Sequence, residues 1–523
     1  MERHIGTWYI EKNPSISKVG ELLIDGNHLE FYSRYQDLVF PETFIGEDGQ
    51  FRYKVFVNGY AKSGQNRVLD YTSSHRVFYV LMQNFDFSKG VDISGIEELS
   101  FSIPELIEWL GIQTVFYNRT NYNEPAAGEK QLSSIMIHET DPKIELYFES
   151  ETFDSMLSFK DNTEIKVKKE PRIRIVYNQP ADIQIIQDDI ESIMQFFGLL
   201  IGKVSTVNDI RLSIQGQALK SWLYINRDFS YNLMTWRVID KPRTYYYVLE
   251  DNLILYYSNW RKFCYDDQFV LLRRIYFSMN DRKEIFAERI FVEYMRILDG
   301  YHTRISGDVE TEEKLKKALK AAAKVIKSKL FEENNRLIFE KAFQSVLPDW
   351  KYNSSNMGDI SNWIAVGYLG RKSLSHRLKE LDNQNFGIIR NNAKYIEHLA
   401  SNRDKCKGMT EEQIVELFYK ELGDTRNYYS HYKKNKTGLL DYSQMNDSIL
   451  VLKATIISIF LFHIGMDKDL IRRIIEFDSE LHFHTQFLRK LEEQPFLHPQ
   501  EWLETIKKDS VEQLDNSDGR EKK

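Results

Sequence analysis

Apolar and polar positions change their period once along this chain of 523 residues. Over residues 5–169 short apolar runs are cut by turn signals, as where Leu22-Leu23-Ile24 meets Asp25-Gly26-Asn27 and where Tyr53-Lys54-Val55-Phe56-Val57 meets Asn58-Gly59. Asp-Gly and Asn-Gly pairs between β-branched and aromatic runs are hairpin chemistry, so this stretch predicts antiparallel strands. Further strands are expected over 76–83, 135–138 and 144–148, with a short helix over 102–110 on Pro104. Ile165-Lys166-Val167-Lys168 and Arg172-Ile173-Arg174-Ile175-Val176 alternate apolar with basic residues, the period-two signature of half-exposed strands. Their basic faces read first as a solvated sheet edge and second as a surface for an anion.

After Pro180 the period becomes helical, with Ile186, Ile190, Ile193, Phe197 and Leu200 at spacings of three and four. From there to about 260 the signals are mixed: Ser221-Trp222-Leu223-Tyr224-Ile225 is strand-like, and Tyr245-Tyr246-Tyr247-Val248-Leu249 reads as a half-buried strand rather than a base-stacking platform. Beyond about 266 the pattern predicts helices over 311–330, 371–381, 392–401, 410–423 and 449–464. The last of these lies in the most membrane-like stretch. It contains Lys453, Ser458 and His463 and falls short of the roughly 18–20 apolar residues a span needs, so it reads as a buried bundle helix. The expected class is α+β: an antiparallel β-rich region over 1–178, a mixed α/β bridge over 179–265, an all-α bundle over 266–509 and a disordered polar tail over 510–523.

Composition narrows the chemistry. The 70 Lys and Arg against 77 Asp and Glu give a net charge of −7, which excludes the overall field of a nonspecific polyanion binder and makes any nucleic-acid contact local. Cys264 and Cys406 are the only cysteines, too few for a disulfide framework or a cysteine zinc site, and the opening residues hold no apolar leader. A cytoplasmic, membrane-free location is expected. Phosphate loops, nucleophile elbows and metalloprotease helices are missing, and His482-Phe483-His484 lacks a third ligand, so neither a metal nor a cofactor is expected. Residues 311–330 carry seven lysines against two glutamates, with Lys316, Lys320, Lys324 and Lys327 on one face and Leu315, Leu319, Ala322, Ile326 and Leu330 on another. A solvated face is the ordinary reading of such a run, and contact with a phosphate backbone the second.

The candidate chemistry lies in Arg426-Asn427-Tyr428-Tyr429-Ser430-His431-Tyr432-Lys433-Lys434-Asn435-Lys436, eleven residues with four fixed positive charges and no acid. On a helix Asn427 and His431 share a side, while Arg426 and Ser430 form a second pair about 100° round. Arg426 is offset from His431 by about 140°, so their convergence needs the reach of the arginine or a groove shared with another subunit. Such a set suits cleavage of an RNA phosphodiester without metal. An imidazole can take the 2′-hydroxyl proton or protonate the leaving 5′-oxygen, and a guanidinium can hold the phosphate through paired donors. Arg426 and His431 are therefore the catalytic candidates, with Asn427 orienting the imidazole or the phosphate. Ser430, Lys433, Lys434 and Lys436 are the candidates for binding RNA. Gly423-Asp424 predicts a helix break, which would make Asp424 or Thr425 an N-cap and place Arg426 in a first turn, where backbone amides favour phosphate.

Arg426-Asn427-x-x-x-His431 resembles the R-x4-6-H motif of HEPN ribonucleases, in which a polar residue commonly follows the arginine. The apolar helix with Ile414, Val415, Phe418 and Leu422 before it, and Leu439-Leu440 with the apolar helix after it, resemble the HEPN bundle. At the other end Gly6-Thr7-Trp8-Tyr9-Ile10, Val19-Gly20-Glu21-Leu22 and Phe101-Ser102-Ile103-Pro104-Glu105-Leu106-Ile107-Glu108-Trp109-Leu110 resemble the β-rich domain of ApeA-type anti-phage proteins. The resemblance implies an abortive-infection endoribonuclease acting on RNA, tRNA expected. It also implies an N-terminal domain that senses a phage-encoded trigger, and a homodimer in which two motifs face one groove. Two other readings stay open: a noncatalytic RNA- or protein-binding HEPN module, and an interaction protein that works through its β domain.

Overall fold

In a computed structural model of the chain the described residues are 2–25, 28–33, 41–66, 71–84, 95–111, 115–118, 134–154, 165–202, 207–215, 221–225, 241–280, 286–306, 309–345, 373–400, 403–431, 438–478 and 480–481. Strand alternation over the first of these builds β1 (Glu2–Ile10), β2 (Asn13–Asp25), β3 (His28–Ser33), β4 (Glu42–Glu47), β5 (Phe51–Asn66) and β6 (Tyr71–Asn84). They pair antiparallel in the order β3-β2-β1-β4-β5-β6, and β6 returns to pair with β3, so the six strands close into a barrel. Closure removes exposed strand edges. The barrel has its own core, in which Trp8, Phe31, Phe44 and Tyr53 are fully buried. Trp8 lies between Gly20 and Gly46, where an added Cβ would collide with the indole, so the strands on both sides of it must carry glycine.

Of the two expected turns, Asp25-Gly26-Asn27 runs into residues outside those described. Asp48-Gly49 makes the β4–β5 turn, with Gly49 at φ +86° and the Asp48 carboxylate accepting from Gln50 N and Phe51 N at 3.0 and 2.9 Å. Asn58-Gly59, expected to turn the chain, instead lies inside β5, where the register against β6 shifts between Val57 and Tyr60. Glycine there belongs to a bulge, the other use of glycine in strands.

Beyond the barrel β6 continues an open sheet made of β7 (Ile96–Ser102), β8 (Val115–Asn118), β9 (Ile135–His138), β10 (Lys143–Asp154), β11 (Ile165–Ala181), β12 (Asn208–Ile214) and β13 (Ser221–Ile225), in the order β6-β13-β12-β7-β11-β10-β9, with β8 on the end of β11. The two expected alternating segments around residue 170 are one strand, β11, and it runs mid-sheet between β7 and β10. Arg172 and Arg174 are therefore not on a solvated edge. Arg174 binds Glu98 and Glu145 at 2.6 and 3.2 Å, and Arg172, 1% exposed, binds Asp209 at 3.0 Å beside Glu149.

The opposite face of the sheet is covered by α1 (Leu106–Leu110) and α2 (Ile183–Ile201), the latter capped by Asp182, whose side chain accepts from Ile185 N at 2.9 Å. Ile186, Ile190, Ile193, Phe197 and Leu200 are all fully buried, as their spacing predicts. The tyrosine run is not a strand: Tyr246–Leu249 is a short helix, α3, in which Tyr246 packs edge-on against Trp109. Local strand preference yields there to tertiary packing.

The helical region comprises α4 (Leu253–Tyr265), α5 (Val270–Asn280), α6 (Ala287–Ser306), α7 (Val309–Phe331), α8 (Glu333–Gln344), α9 (Leu374–Gln384), α10 (Ile388–His398), α11 (Glu411–His431), α12 (Tyr442–His463) and α13 (Lys468–Phe477). One apolar core runs from the open sheet through α2 and α4 into this bundle. Phe196 packs on Tyr257 at 5.2 Å, and Phe263 on Phe460 of α12 at 5.3 Å. Polar ties follow the same route, from Trp260 Nε1 to Ser192 O at 2.9 Å and from Asn259 Nδ2 to Ile464 O at 2.9 Å. Helix α12 is long and apolar enough by composition to cross a membrane, yet most of it is buried against α6, α10 and α13. Its start is fixed by a capping box between Asp441 and Gln444. The expected polar tail over 510–523 and His482-Phe483-His484 lie outside the described residues.

Candidate active site

Helix α11 carries the arginine–histidine motif. Glu411 and Glu412 occupy its first turn, where the helix dipole favours them, and Ile414, Val415, Phe418 and Leu422 form its buried stripe. The helix runs unbroken through Gly423 to His431, so the expected break, the N-cap at Asp424 or Thr425 and the first-turn position of Arg426 do not occur. The roughly 1 kcal/mol that glycine costs a helix interior is small beside the burial of four large apolar residues on the same stripe. The motif therefore closes a helix. Its last turns present carbonyl oxygens and the negative end of the dipole, so positive charge is favoured there and no row of free amides awaits a phosphate.

Arg426, Asn427, Tyr428, Tyr429 and Ser430 are half-buried and His431 is exposed. Arg426 donates from Nη1 to Asn427 Oδ1 at 3.2 Å, so Asn427 holds the guanidinium rather than the imidazole. Among the described residues no carboxylate pairs with Arg426, and its Nε is buried without a hydrogen-bond partner. Continuous helical geometry keeps the offset of about 140° between Arg426 and His431. Tyr429 packs on the core, edge-to-face with Tyr428 at 5.0 Å; burial, and then the charge of Glu288 in the first turn of α6, push its phenol pKa up. Thr425 is fully buried, and its hydroxyl accepts from Leu440 N at 3.0 Å. Leu440 is thereby held beside the motif helix. Lys433, Lys434 and Lys436 lie outside the described residues.

Sequence reasoning missed a buried acid pair behind the motif. Glu421 of α11 and Glu397 of α10 are 1% and 3% exposed and share Lys405, which forms an ion pair with Glu421 and lies 3.9 Å from Glu397. Gln444 Nε2 donates to Glu397 at 3.4 Å, and the Cys406 thiol does so at 3.6 Å. Burial, and next the neighbouring Glu397, push the Glu421 carboxyl up to about 8. Its signal was available: Glu421 falls on the Ile414–Phe418 stripe, where the spacing calls for an apolar residue.

A cleft of about 550 Å³ opens at the other end of α11, lined by Lys379, Arg390, Thr410, Gln413 and Tyr419 among others. Its cations are met by acids, Lys379 by Glu416 and Arg390 by Glu412, so it lacks the uncompensated charge of the motif.

A closed barrel joined to a helix-backed sheet, followed by a bundle with Arg426 and His431 at the end of one of its helices, defines a two-part α+β protein. Residues 3–260 match the family model of ApeA N-terminal domain 1, and residues 292–470 match that of the Apea-like HEPN domain. The chain belongs to the ApeA-type HEPN proteins, a family of anti-phage HEPN nucleases. Comparison with curated proteins and with solved structures returned no match.

Proposed function

We propose that the chain is a metal-independent endoribonuclease of anti-phage defence that cleaves RNA, tRNA being the expected form, through Arg426 and His431. The observation that carries this reading is a half-buried guanidinium, held by Asn427 and left without a carboxylate among the described residues, on the same helix end as an exposed imidazole. An RNA phosphate supplies the missing anion. In the proposed reaction His431 takes the proton of a 2′-hydroxyl as its oxygen attacks the adjacent phosphorus. The bond from phosphorus to the 5′-oxygen breaks, and that oxygen leaves with a proton given by a second imidazole. Arg426 holds the charge that develops on the phosphoryl oxygens. The products are a 2′,3′-cyclic phosphate and a 5′-hydroxyl.

The 140° offset supports a homodimer in which Arg426 of one subunit and the partner subunit's His431 flank one groove, since a two-fold interface brings the same patch of both copies together. The N-terminal barrel and sheet are read as the part that senses a phage-encoded trigger. Cleavage of tRNA in excess chelator, with end-group analysis, tests the chemistry. Cyclic phosphate ends from the wild type and none from His431→Ala are expected. Activity that vanishes with chelator and returns with magnesium refutes the metal-free route. Mixing wild type with His431→Ala tests the shared groove, where mixed dimers should have well under half of wild-type activity.

A further inference from the structure

A second positive surface lies on α7. From Lys314 to Phe331 the helix has no acid, and its three glutamates are confined to the start. Lys317, Lys320, Lys324 and Lys327 are all exposed, and their spacing places them within about 80° of arc over about 15 Å of axis. Ala322, Ala323 and Ile326 turn to other sides and are buried or half-buried. Lys329, off the stripe, pairs with Glu332 at 2.6 Å, whereas no carboxylate among the described residues pairs with Lys317, Lys320 or Lys324. Helices α7 and α8 pack most extensively on each other, which leaves this side of α7 clear of the bundle. Among exposed apolar residues, Leu337 and Ile338, 50% and 66% exposed, belong to α8, and Val325 of α7, 60% exposed, lies about 80° beyond the edge of the stripe. Three clustered cations, Lys317, Lys320 and Lys324, without a carboxylate among the described residues favour a polyanion.

The position of the stripe bears on the nuclease site. Glu288, in the first turn of α6, is near enough for its charge to act on Tyr429 of the motif helix, and α7 follows from the far end of α6. From Glu288 to Ser306 that path is about 27 Å at 1.5 Å per residue. A folded RNA is large enough to touch both the motif and a helix that follows from the far end of α6.

We propose that the lysine stripe of α7 is a second RNA-contact surface, holding the phosphates of a folded RNA body while the strand to be cut lies at Arg426 and His431. The role rests on the endoribonuclease reading, but the contact can be measured without turnover. In a His431→Ala chain, Lys317, Lys320, Lys324 and Lys327 are changed together to Gln, which keeps helix propensity at exposed positions. Binding of a tRNA transcript and of a short single-stranded RNA is then followed against salt. Four lost phosphate contacts, at about 0.7–0.9 each, should lower the log–log salt slope for tRNA by about 3 and leave that for the short RNA unchanged. Equal slopes on tRNA overturn the proposal, as does an equal loss on both RNAs. A changed sedimentation with an unchanged tRNA slope assigns the surface to a protein and overturns it too. If the wild-type chain cuts neither RNA, the nuclease reading fails, and the slope still decides the contact.

Discussion

Two arginine sites in this molecule look alike in sequence and differ in what surrounds them. Arg172 and Arg174 of β11 alternate with isoleucines, and each meets acids from other strands of the sheet, so the sheet carries a ladder of neutralised pairs. Arg426 stands in an equally basic stretch, but its bonded neighbour is a neutral amide. Density of positive charge is therefore a poor guide to an anion site. What separates the two is whether the fold returns a carboxylate to the guanidinium, and that depends on residues far away in sequence: Asp209 lies 37 positions from Arg172.

The largest effects should separate the two sites completely. Arg426→Ala or His431→Ala should lower RNA cleavage by about 10²–10⁴ while the melting temperature holds, as expected when a proton-transfer or charge-stabilising group is removed. Arg172→Ala should do the reverse. It should cost about 2–3 kcal/mol of stability, below the 3–5 typical of broken buried pairs because Asp209 and Glu149 keep Arg211, with activity per folded molecule retained. Loss of cleavage in Arg172→Ala at an unchanged melting temperature would contradict the distinction.

At Asn427 the comparison can be inverted. Asn427→Ala removes one hydrogen bond to a half-buried guanidinium and should slow cleavage about tenfold, equivalent to about 1.4 kcal/mol. Asn427→Asp gives Arg426 the carboxylate that β11 gives its arginines and should slow cleavage further. If Asp is as active as Asn, an uncompensated arginine is not what the site requires.

The buried acid pair responds to pH. Because the folded state raises the Glu421 carboxyl to about 8, its contribution to stability is complete below the ordinary carboxylate range and is lost as pH rises through about 8. Glu421→Gln cannot ionise, so relative to wild type it should gain melting temperature between pH 5 and pH 9. A constant difference across that range would place the ionisation elsewhere. The smallest effect is expected at Gly423, where an added Cβ would meet Ser375 no closer than 3.8 Å. Gly423→Ala should stabilise by about 0.4–1 kcal/mol by restricting the unfolded chain, with cleavage unchanged, as calorimetry and an activity assay together can show.

Much of this was legible because it is local. The stripe of α2, the β-rich start and the bundle character of α12 follow from period and composition, and the motif of α11 is visible as six consecutive residues. The rest depends on distant partners. Closure of the barrel through β3 and β6 joins residues far apart in sequence, as in Phe31 opposite His75. Gly423 looked like a stop because propensity is counted residue by residue, whereas the helix is held by its whole stripe. Asn427 was placed on the side of His431 by spacing, yet its amide turns to Arg426, a choice made by rotamers that spacing does not encode.

The presence of two cores decides where this protein can be taken apart. A cut between the two family segments, near Tyr276 and Phe277, would pass through side chains that pack on Phe460 and Trp260 and would leave both fragments with raw aromatic faces. The barrel is different, since the buried residues of its apolar core all come from its own six strands, with Trp222 and Tyr224 of β13 packed against them. Its graft point is the run from Tyr79 to Gln83 on β6, which pairs with Ile225 to Ser221 of β13. A foreign barrel whose last strand offers β13 the same edge could be installed as a cassette without opening the helical bundle.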